Sequence, residues 1–305
     1  MFIFSSFPFN LSLMEKEAIG NFCRGRFAWV GYPDDLGIKN VKGRPGAAEG
    51  PARFLEFFKR LKGQTDLLAS CVVESWLDVG EDLEQNYEFA AATTRDALGR
   101  LDLQRDVLLA VGGGHDYAYP WFRAFQQSLP EGTRVACLNL DAHFDLRPFE
   151  PVMTSGSPFR RLIEEGVLQP GLFAEFGIQS HCNSAELFQY AEDRGMSVIP
   201  MESLRAGKAV EAFRETLALL SDHADHVLIS LDLDALSFAF APGVSAPQAE
   251  GFTASEVFQM LEIAGSDKKV ASLGIFELSP PLDVQDLTSR LAAQAAWHFL
   301  NARIQ

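Results

Sequence analysis

The sequence predicts an α/β fold on a mostly parallel sheet, and three observations carry the prediction. Short apolar runs alternate along the chain with longer amphipathic stretches, the pattern of strand and helix in succession. The runs are continuously apolar and partly β-branched, as suits strands covered on both faces. No stretch rich in Pro, Gly or Ser divides the chain, so residues 1–305 read as one domain with 1–26 as an N-terminal arm. Alternation of this kind also implies right-handed crossovers between parallel neighbours.

In chain order, FAWVGY at 27–32 opens the sheet and the amphipathic stretch 49–62 follows it. VVESWLDV at 72–79 is the second strand, with a helix expected at 84–100. DVLLAV at 106–111 precedes a helix at 117–128, and RVACLNL at 134–140 precedes the stretch DLRPFEPVMTSGSPFR. That stretch, 145–160, reads as a long functional loop and not as a boundary. FAEFGI at 173–178 leads to a helix at 184–194, and MSVIP at 196–200 leads to one at 208–222. HVLISL at 226–231 and VASLGIF at 270–276 are the last strands, with helices at 254–265 and 284–302. In the final helix Leu287, Leu291, Ala295 and Phe299 fall on one stripe.

At 47% hydrophobic and 22% charged residues, the composition is that of a globular protein. A formal net charge of −15 argues against nucleic acid and anionic membrane as partners, because phosphates demand a basic face. An anionic small molecule is still admissible where a cationic pocket or a metal overrides the global field. Cys23, Cys71, Cys137 and Cys182 form no ligand spacing and read as free thiols in a reducing cytoplasm. The N-terminal MFIFSSFPFNLSL lacks a basic n-region, is broken by Pro8 and is too short to span a bilayer.

Six residues carry the chemistry: His115 in VGGGHD, then Asp141, His143 and Asp145 in LNLDAHFD, then Asp232 and Asp234 in ISLDLDAL. Each group lies just past an apolar run, where ligands of open α/β sheets bind. Four carboxylates gathered at buried strand ends repel one another, at a cost on the order of several kcal/mol each. No Lys or Arg stands inside these runs, so divalent cations are the expected remedy. Asp and His without Cys suit Mn²⁺ better than structural zinc. Alternate residues leaving a strand project to one side, so D-x-H-x-D and D-x-D each offer several ligands to one pocket. Such a metal pair brings the pKa of water toward neutrality and implies a hydrolase. Glu277, after LGIF, is placed to hold an amidinium or guanidinium group by charge-assisted hydrogen bonds. His181 in GIQSHCNS is a candidate proton shuttle, whereas His223, His226 and His298 read as surface or packing residues.

GGGHD, DAHFD, SLDLDAL and FELSPP in that order, with GRPGAAEGP at 43–51, resemble the ureohydrolase superfamily of arginases, agmatinases and formimidoylglutamases. The resemblance runs from about residue 27 to the end. It implies a three-layer αβα sandwich with a mostly parallel eight-stranded sheet, two Mn²⁺ ions per subunit, bridging roles for Asp141 and Asp232, and a homo-oligomer. HFDLRP, TSGSPF, FGIQSHCNS, APGVSAP and LDVQDLTSRLAA look most like formimidoylglutamase. TSGSPF lacks the histidine that an arginase-like loop would carry, and Ser180, His181 and Asn183 stand where arginases place an acidic pair.

The expected reaction is hydrolysis of the linear amidine N-formimidoyl-L-glutamate to L-glutamate and formamide. Asp145 positions the nucleophile and Glu277 orients the formimidoyl group. Arg147 is expected to clamp a substrate carboxylate bidentately, with Arg160 and Arg161 as weaker candidates. Thr154, Ser157 and Asn183 are expected to hydrogen-bond substrate. The alternatives are a guanidino hydrolase releasing urea, a metal-dependent amide deacetylase, and a non-catalytic metal-binding regulatory homologue.

Overall fold

Eight strands make one sheet: β1 (Phe27–Tyr32), β2 (Cys71–Trp76), β3 (Val107–Gly112), β4 (Val135–Leu140), β5 (Phe173–Ile178), β6 (Ser197–Pro200), β7 (His226–Asp232) and β8 (Val270–Phe276). Their order across the sheet is β2-β1-β3-β8-β7-β4-β5-β6. Every pair of neighbours is parallel. The structure is a computed structural model, describing residues 26–63 and 67–304. The N-terminal arm expected over 1–26, including Cys23, therefore lies outside the described residues except for Arg26.

Ten helices connect the strands among the described residues: α1 (Leu36–Asn40), α2 (Gly50–Phe58), α3 (Leu83–Leu98), α4 (Ala118–Gln127), α5 (Pro158–Glu164), α6 (Ala185–Asp193), α7 (Met201–Leu204), α8 (Ala209–His223), α9 (Ala254–Ser266) and α10 (Leu287–Ile304). Successive residues of a strand face opposite ways, and this sorts the core into two apolar layers. Ala136, Leu138 and Leu140 of β4 pack with Phe54 of α2, Phe213 of α8, Met260 of α9 and Phe299 of α10. Val135 and Cys137 of the same strand pack with Tyr87 of α3, Phe122 of α4, Phe159 of α5 and Tyr190 of α6. The sheet is thus covered on both faces, as the three-layer expectation requires.

Several elements depart from the sequence reading: α1 and α7 are short helices it does not include, and the helix expected over 49–62 ends at Phe58. The strand expected over 72–79 ends at Trp76, because β2 is an edge strand whose last partner is Gly31 of β1. The loop expected over 145–160 ends in the first turns of α5, which Pro158 opens from the first helical position, where its missing N–H costs nothing. Leu287 begins α10 but is exposed, so the buried stripe starts at Leu291. Asp283 caps that helix start, its carboxylate accepting from the backbone N–H groups of Thr288 and Ser289.

In a parallel sheet all carboxyl ends share one edge. β3, β8, β7 and β4 are consecutive at the centre of the sheet. The segments that follow them carry His115, Glu277, the Asp232 pair and the Asp141 group respectively. Strand order alone therefore delivers residues distant in sequence to one place.

Candidate metal centre and substrate pocket

His115 reaches the centre through a glycine turn that no other residue type could make. A Cβ on Gly113 would lie 1.8 Å from the carbonyl oxygen of Asp34, a hard overlap with backbone. The turn is fixed by hydrogen bonds from Gly113 N–H to Tyr32 O (2.8 Å) and from Gly114 N–H to Asp34 O (3.0 Å). The His115 ring is buried, stacked on Phe276 at 5.0 Å and met edge-on by Phe159. Its Nε2 lies 2.8 Å from Ser230 Oγ. A proton on Nε2, shared with that hydroxyl, leaves Nδ1 a lone pair aimed at the acidic groups.

Three carboxylate oxygens converge on that nitrogen. Nδ1 is 3.1 Å from Asp141 Oδ2, 2.9 Å from Asp145 Oδ2 and 3.0 Å from Asp232 Oδ2. None of these contacts has hydrogen-bond geometry, so Nδ1 is a buried nitrogen without a partner. One N–H could in any case serve only one of three anions. The second group holds Asp141, His143 and Asp234, with His143 Nδ1 at 3.5 Å from Asp141 Oδ1 and 3.2 Å from Asp234 Oδ2. Within each group the prospective ligand atoms lie within 4.8 Å of one another. The donor set is hard and anionic, and it fits a pair of divalent cations.

Asp141 belongs to both groups and turns one oxygen toward each. Asp232 does not. Its Oδ2 faces His115, while Oδ1 accepts the backbone N–H of Asp234 at 2.8 Å. The same turn recurs where Asp141 Oδ1 accepts His143 N–H at 2.7 Å. A carboxylate that caps the second residue onward gives D-x-H and D-x-D a local reason, beyond the alternation of strand residues.

Electrostatics without a cation are unfavourable. Burial, and after it repulsion from Asp234 and Asp141, pushes the Asp232 carboxyl well above the usual range. Burial, opposed by His143 and reinforced by Asp141, raises Asp234 from 3.8 to about 6. For Asp141 burial acts upward too, but contact with His115 and His143 outweighs it and holds that carboxyl low. Both imidazoles are raised, since their carboxylate neighbours outweigh burial. Groups raised in the folded state stabilise it below their unfolded pKa and lose that contribution as pH passes the folded value. For Asp234 this window runs from 3.8 to about 6. Metal-stripped protein is therefore expected to melt at progressively lower temperature from about pH 4 to pH 6, and to go on declining above pH 6.5 as the raised imidazoles lose their protons. Metal competes with protons for the same atoms, so Mn²⁺-loaded protein should show a flat or opposite trend. Paired melting curves with and without chelator measure this, and parallel trends would contradict it.

A cavity of about 320 Å³ opens over these ligands. His143, Asp145, Asp232, Asp234 and Glu277 line it from the protein side. Lys42, Arg44 and Arg147 line it as well, and all three are exposed. Lys42, Asp145 and Glu277 have left-handed backbone at φ 61°, 49° and 68°. Such strain is held only where surrounding structure imposes it. Glu277 shows how: its N–H donates to Gly113 O at 2.8 Å and its Oε1 accepts His115 N–H at 2.9 Å. Arg44 is spent on loop closure, donating to Ser245 O and Val244 O. Arg147 lays its stem on Gly156, where a Cβ would come within 3.0 Å of Arg147 Cδ. Lys42 and Arg147 have no side-chain hydrogen bond or ion pair among the described residues.

The remaining sequence candidates lie elsewhere. Thr154 and Ser157 bond to each other through their hydroxyls at 2.7 Å and stabilise the loop, whose Ser155 and Gly156 line the cavity instead. Asn183 spends its amide on Ala142 O, Gln179 O and Phe144 N–H, bracing the DAHFD segment from behind. His181 is exposed beside Glu250 and does not line the cavity. Arg160 and Arg161 of α5 pair with Glu164 and with Glu165 just past its end. Lys42, Arg44 and Ser245 are lining residues that sequence pattern alone does not reveal, although Arg44 and Ser245 lie in GRPGAAEGP and APGVSAP and Lys42 directly precedes the first. The only sequence signal for Ser230 is that it is a lone hydroxyl in an apolar strand.

Known proteins share this sequence and fold. The sequence pattern of the Arginase family matches residues 26–301. The formimidoylglutamase of Geobacillus thermodenitrificans (strain NG80-2) is 35% identical over 279 residues, spanning 89% of this chain and 84% of that protein. The crystal structure of Trypanosoma cruzi formiminoglutamase with Mn²⁺ superposes with a TM-score of 0.82 at 28% identity, covering 91% of this chain and 93% of that one. Formimidoylglutamase from Bacillus subtilis subsp. subtilis str. 168 gives a TM-score of 0.82 at 26% identity, covering 93% of this chain and 88% of that one. With the glycine turn, the acidic strand ends and the late glutamate gathered on this same sheet, the chain belongs to the arginase family.

Proposed function

We propose that the protein hydrolyses N-formimidoyl-L-glutamate to L-glutamate and formamide at a centre holding two Mn²⁺ ions. The observation that carries this reading is the polarity of the cavity. Carboxylates and imidazoles form its protein side, and the unpaired cations of Lys42 and Arg147 stand among its exposed residues. A ligand with an amidinium at one end, a carboxylate on the carbon next to it and a second carboxylate at the far end matches that gradient. Agmatine, cationic at both ends, would bring an amine against Lys42 and Arg147. The names of the similar proteins support the same reading.

When bound, the metal pair supplies a water activated near neutral pH. The chain does the rest. Glu277 Oε2 is the carboxylate oxygen left after Oε1 takes the His115 N–H, and it orients the amidinium by a charge-assisted hydrogen bond. Asp145, held in its left-handed turn, aligns the attacking oxygen with the amidine carbon. Arg147 and Lys42 hold the two carboxylates of the glutamate portion. Lys42 and Arg147 thereby take the substrate-positioning role in which Thr154, Ser157 and Asn183 were expected to share.

Among the described residues no helix is long and apolar enough to cross a membrane. Cys137 and Cys182 form no disulfide, which suits a reducing cytoplasm. The test is a side-by-side assay of Mn²⁺-reconstituted protein on N-formimidoylglutamate, arginine, agmatine and guanidinobutyrate. Formamide release should exceed urea release from any of the other three by at least about 10²-fold, the penalty for misplacing charge in a desolvated site. Faster urea release would establish the guanidino-hydrolase alternative, and no turnover of any of the four would favour the regulatory one.

A further inference from the structure

Directly beneath the metal ligands, a row of polar side chains crosses three strands in an otherwise apolar layer. Asn139 of β4 stands in register with Glu175 of β5 on one side and Ser230 of β7 on the other. All three are completely buried. Ser230 holds His115, as described above. Asn139 Nδ2 lies 2.9 Å from Glu175 Oε2 and 3.4 Å from Asp141 Oδ2, so one amide spans a buried carboxyl group and the aspartate shared by both metal groups. Glu175 Oε1 and Asn139 Oδ1 have no partner.

An apolar pair would pack beside the neighbouring Cys137–Phe173 pair without this cost, since each unsatisfied buried polar atom destabilises by about 1–3 kcal/mol. Ligands of metal centres are commonly held by such outer partners, whose loss weakens metal binding by about 10–100-fold. We propose that Glu175 and Asn139 are positioning residues of the metal centre. Glu175 fixes the Asn139 amide, and that amide sets the orientation of Asp141 toward both ions. Ser230 and Asn139 then act alike, each anchoring from the sheet one ligand that the strand end alone would leave free to rotate. Burial, opposed by the Asn139 bond and reinforced by Asp141 and Asp145, holds the Glu175 carboxyl well above the usual range, in keeping with its place behind the ligands.

The test measures metal, not turnover, and so stands apart from the substrate assignment. Mn²⁺ is titrated calorimetrically into metal-stripped parent, Glu175→Met, Glu175→Gln and Asn139→Leu proteins. Glu175→Met and Asn139→Leu should each weaken Mn²⁺ binding about 10–100-fold, while the melting temperature of the metal-free protein stays level or rises. Glu175→Gln keeps an acceptor for Asn139 and should bind Mn²⁺ within about threefold of the parent. A role confined to packing would lower the metal-free melting temperature and leave Mn²⁺ affinity unchanged, and that pattern overturns the proposal. If Glu175→Met fails to fold, the Asn139→Leu and Glu175→Gln proteins still decide it.

Discussion

Asp141→Asn is expected to empty both metal positions. The carboxylate turns Oδ2 to one group and Oδ1 to the other, so no ion keeps its full set when it is lost. Metal content should fall from about two ions per chain to near zero, with kcat/KM down by at least about 10³-fold, the scale of losing a principal electrostatic contribution. Asp232→Asn separates the groups, because Asp232 falls in the His115 group whereas Asp141 falls in both. It should release one ion first. The metal-free proteins should diverge in stability as well. Asp141 is held ionised by two imidazoles, and its neutral replacement should lower the metal-free melting temperature. Asp232 is pushed well above the usual range by burial and by its neighbours, so neutralising it should raise that temperature. Elemental analysis and melting curves together read this out. Two ions retained by Asp141→Asn protein would show that no ligand is shared.

The parts of this centre that could be read from sequence are those set by strand ends. A residue just past an apolar run sits at the carboxyl edge of a parallel sheet wherever the strand is placed, so His115, Asp141 and Asp232 were locatable before any strand order was known. The pairing of β8 with both β3 and β7, which brings Glu277 against His115, is invisible to local pattern because the partners are 162 residues apart. Loop residues were harder still. Thr154 and Ser157 carry the right chemistry for a ligand, but their hydroxyls bond to each other while Ser155 and Gly156 face the cavity. Asn183 and His181 follow β5, one strand beyond β4, where the chain wraps behind the DAHFD segment. Lys42 escaped notice because its place depends on a left-handed turn at a non-glycine residue, which no composition rule anticipates. The buried Glu175 and Asn139 did leave a signal, as single polar residues interrupting FAEFGI and VACLNL.

Replacing Arg147 or Lys42 is expected to change selectivity more than rate. Each holds one carboxylate on a substrate that carries two, and a charge-assisted hydrogen bond contributes about 1.5–3 kcal/mol. Arg147→Met and Lys42→Met should therefore each raise KM for N-formimidoylglutamate by about 10–100-fold, with kcat changed less than about threefold, because the contact is made equally in ground and transition states. The methionines keep the apolar stem, so the change reports charge and not packing. Two smaller substrates assign the partners: 4-formimidoylaminobutyrate lacks the α-carboxylate and N-formimidoylglycine lacks the distal one. A variant that has lost the partner of a given carboxylate should show no KM penalty on the substrate lacking it, and a full penalty on the other. Opposite patterns for the two variants would place the two carboxylates individually. Because Arg147 and Lys42 come from different loops and engage different groups, their effects on the diacid should add in the double variant. Equal penalties on all three substrates would mean that the two cations act only through the general field of the cavity, and the assignment of carboxylate contacts to Arg147 and Lys42 would fail.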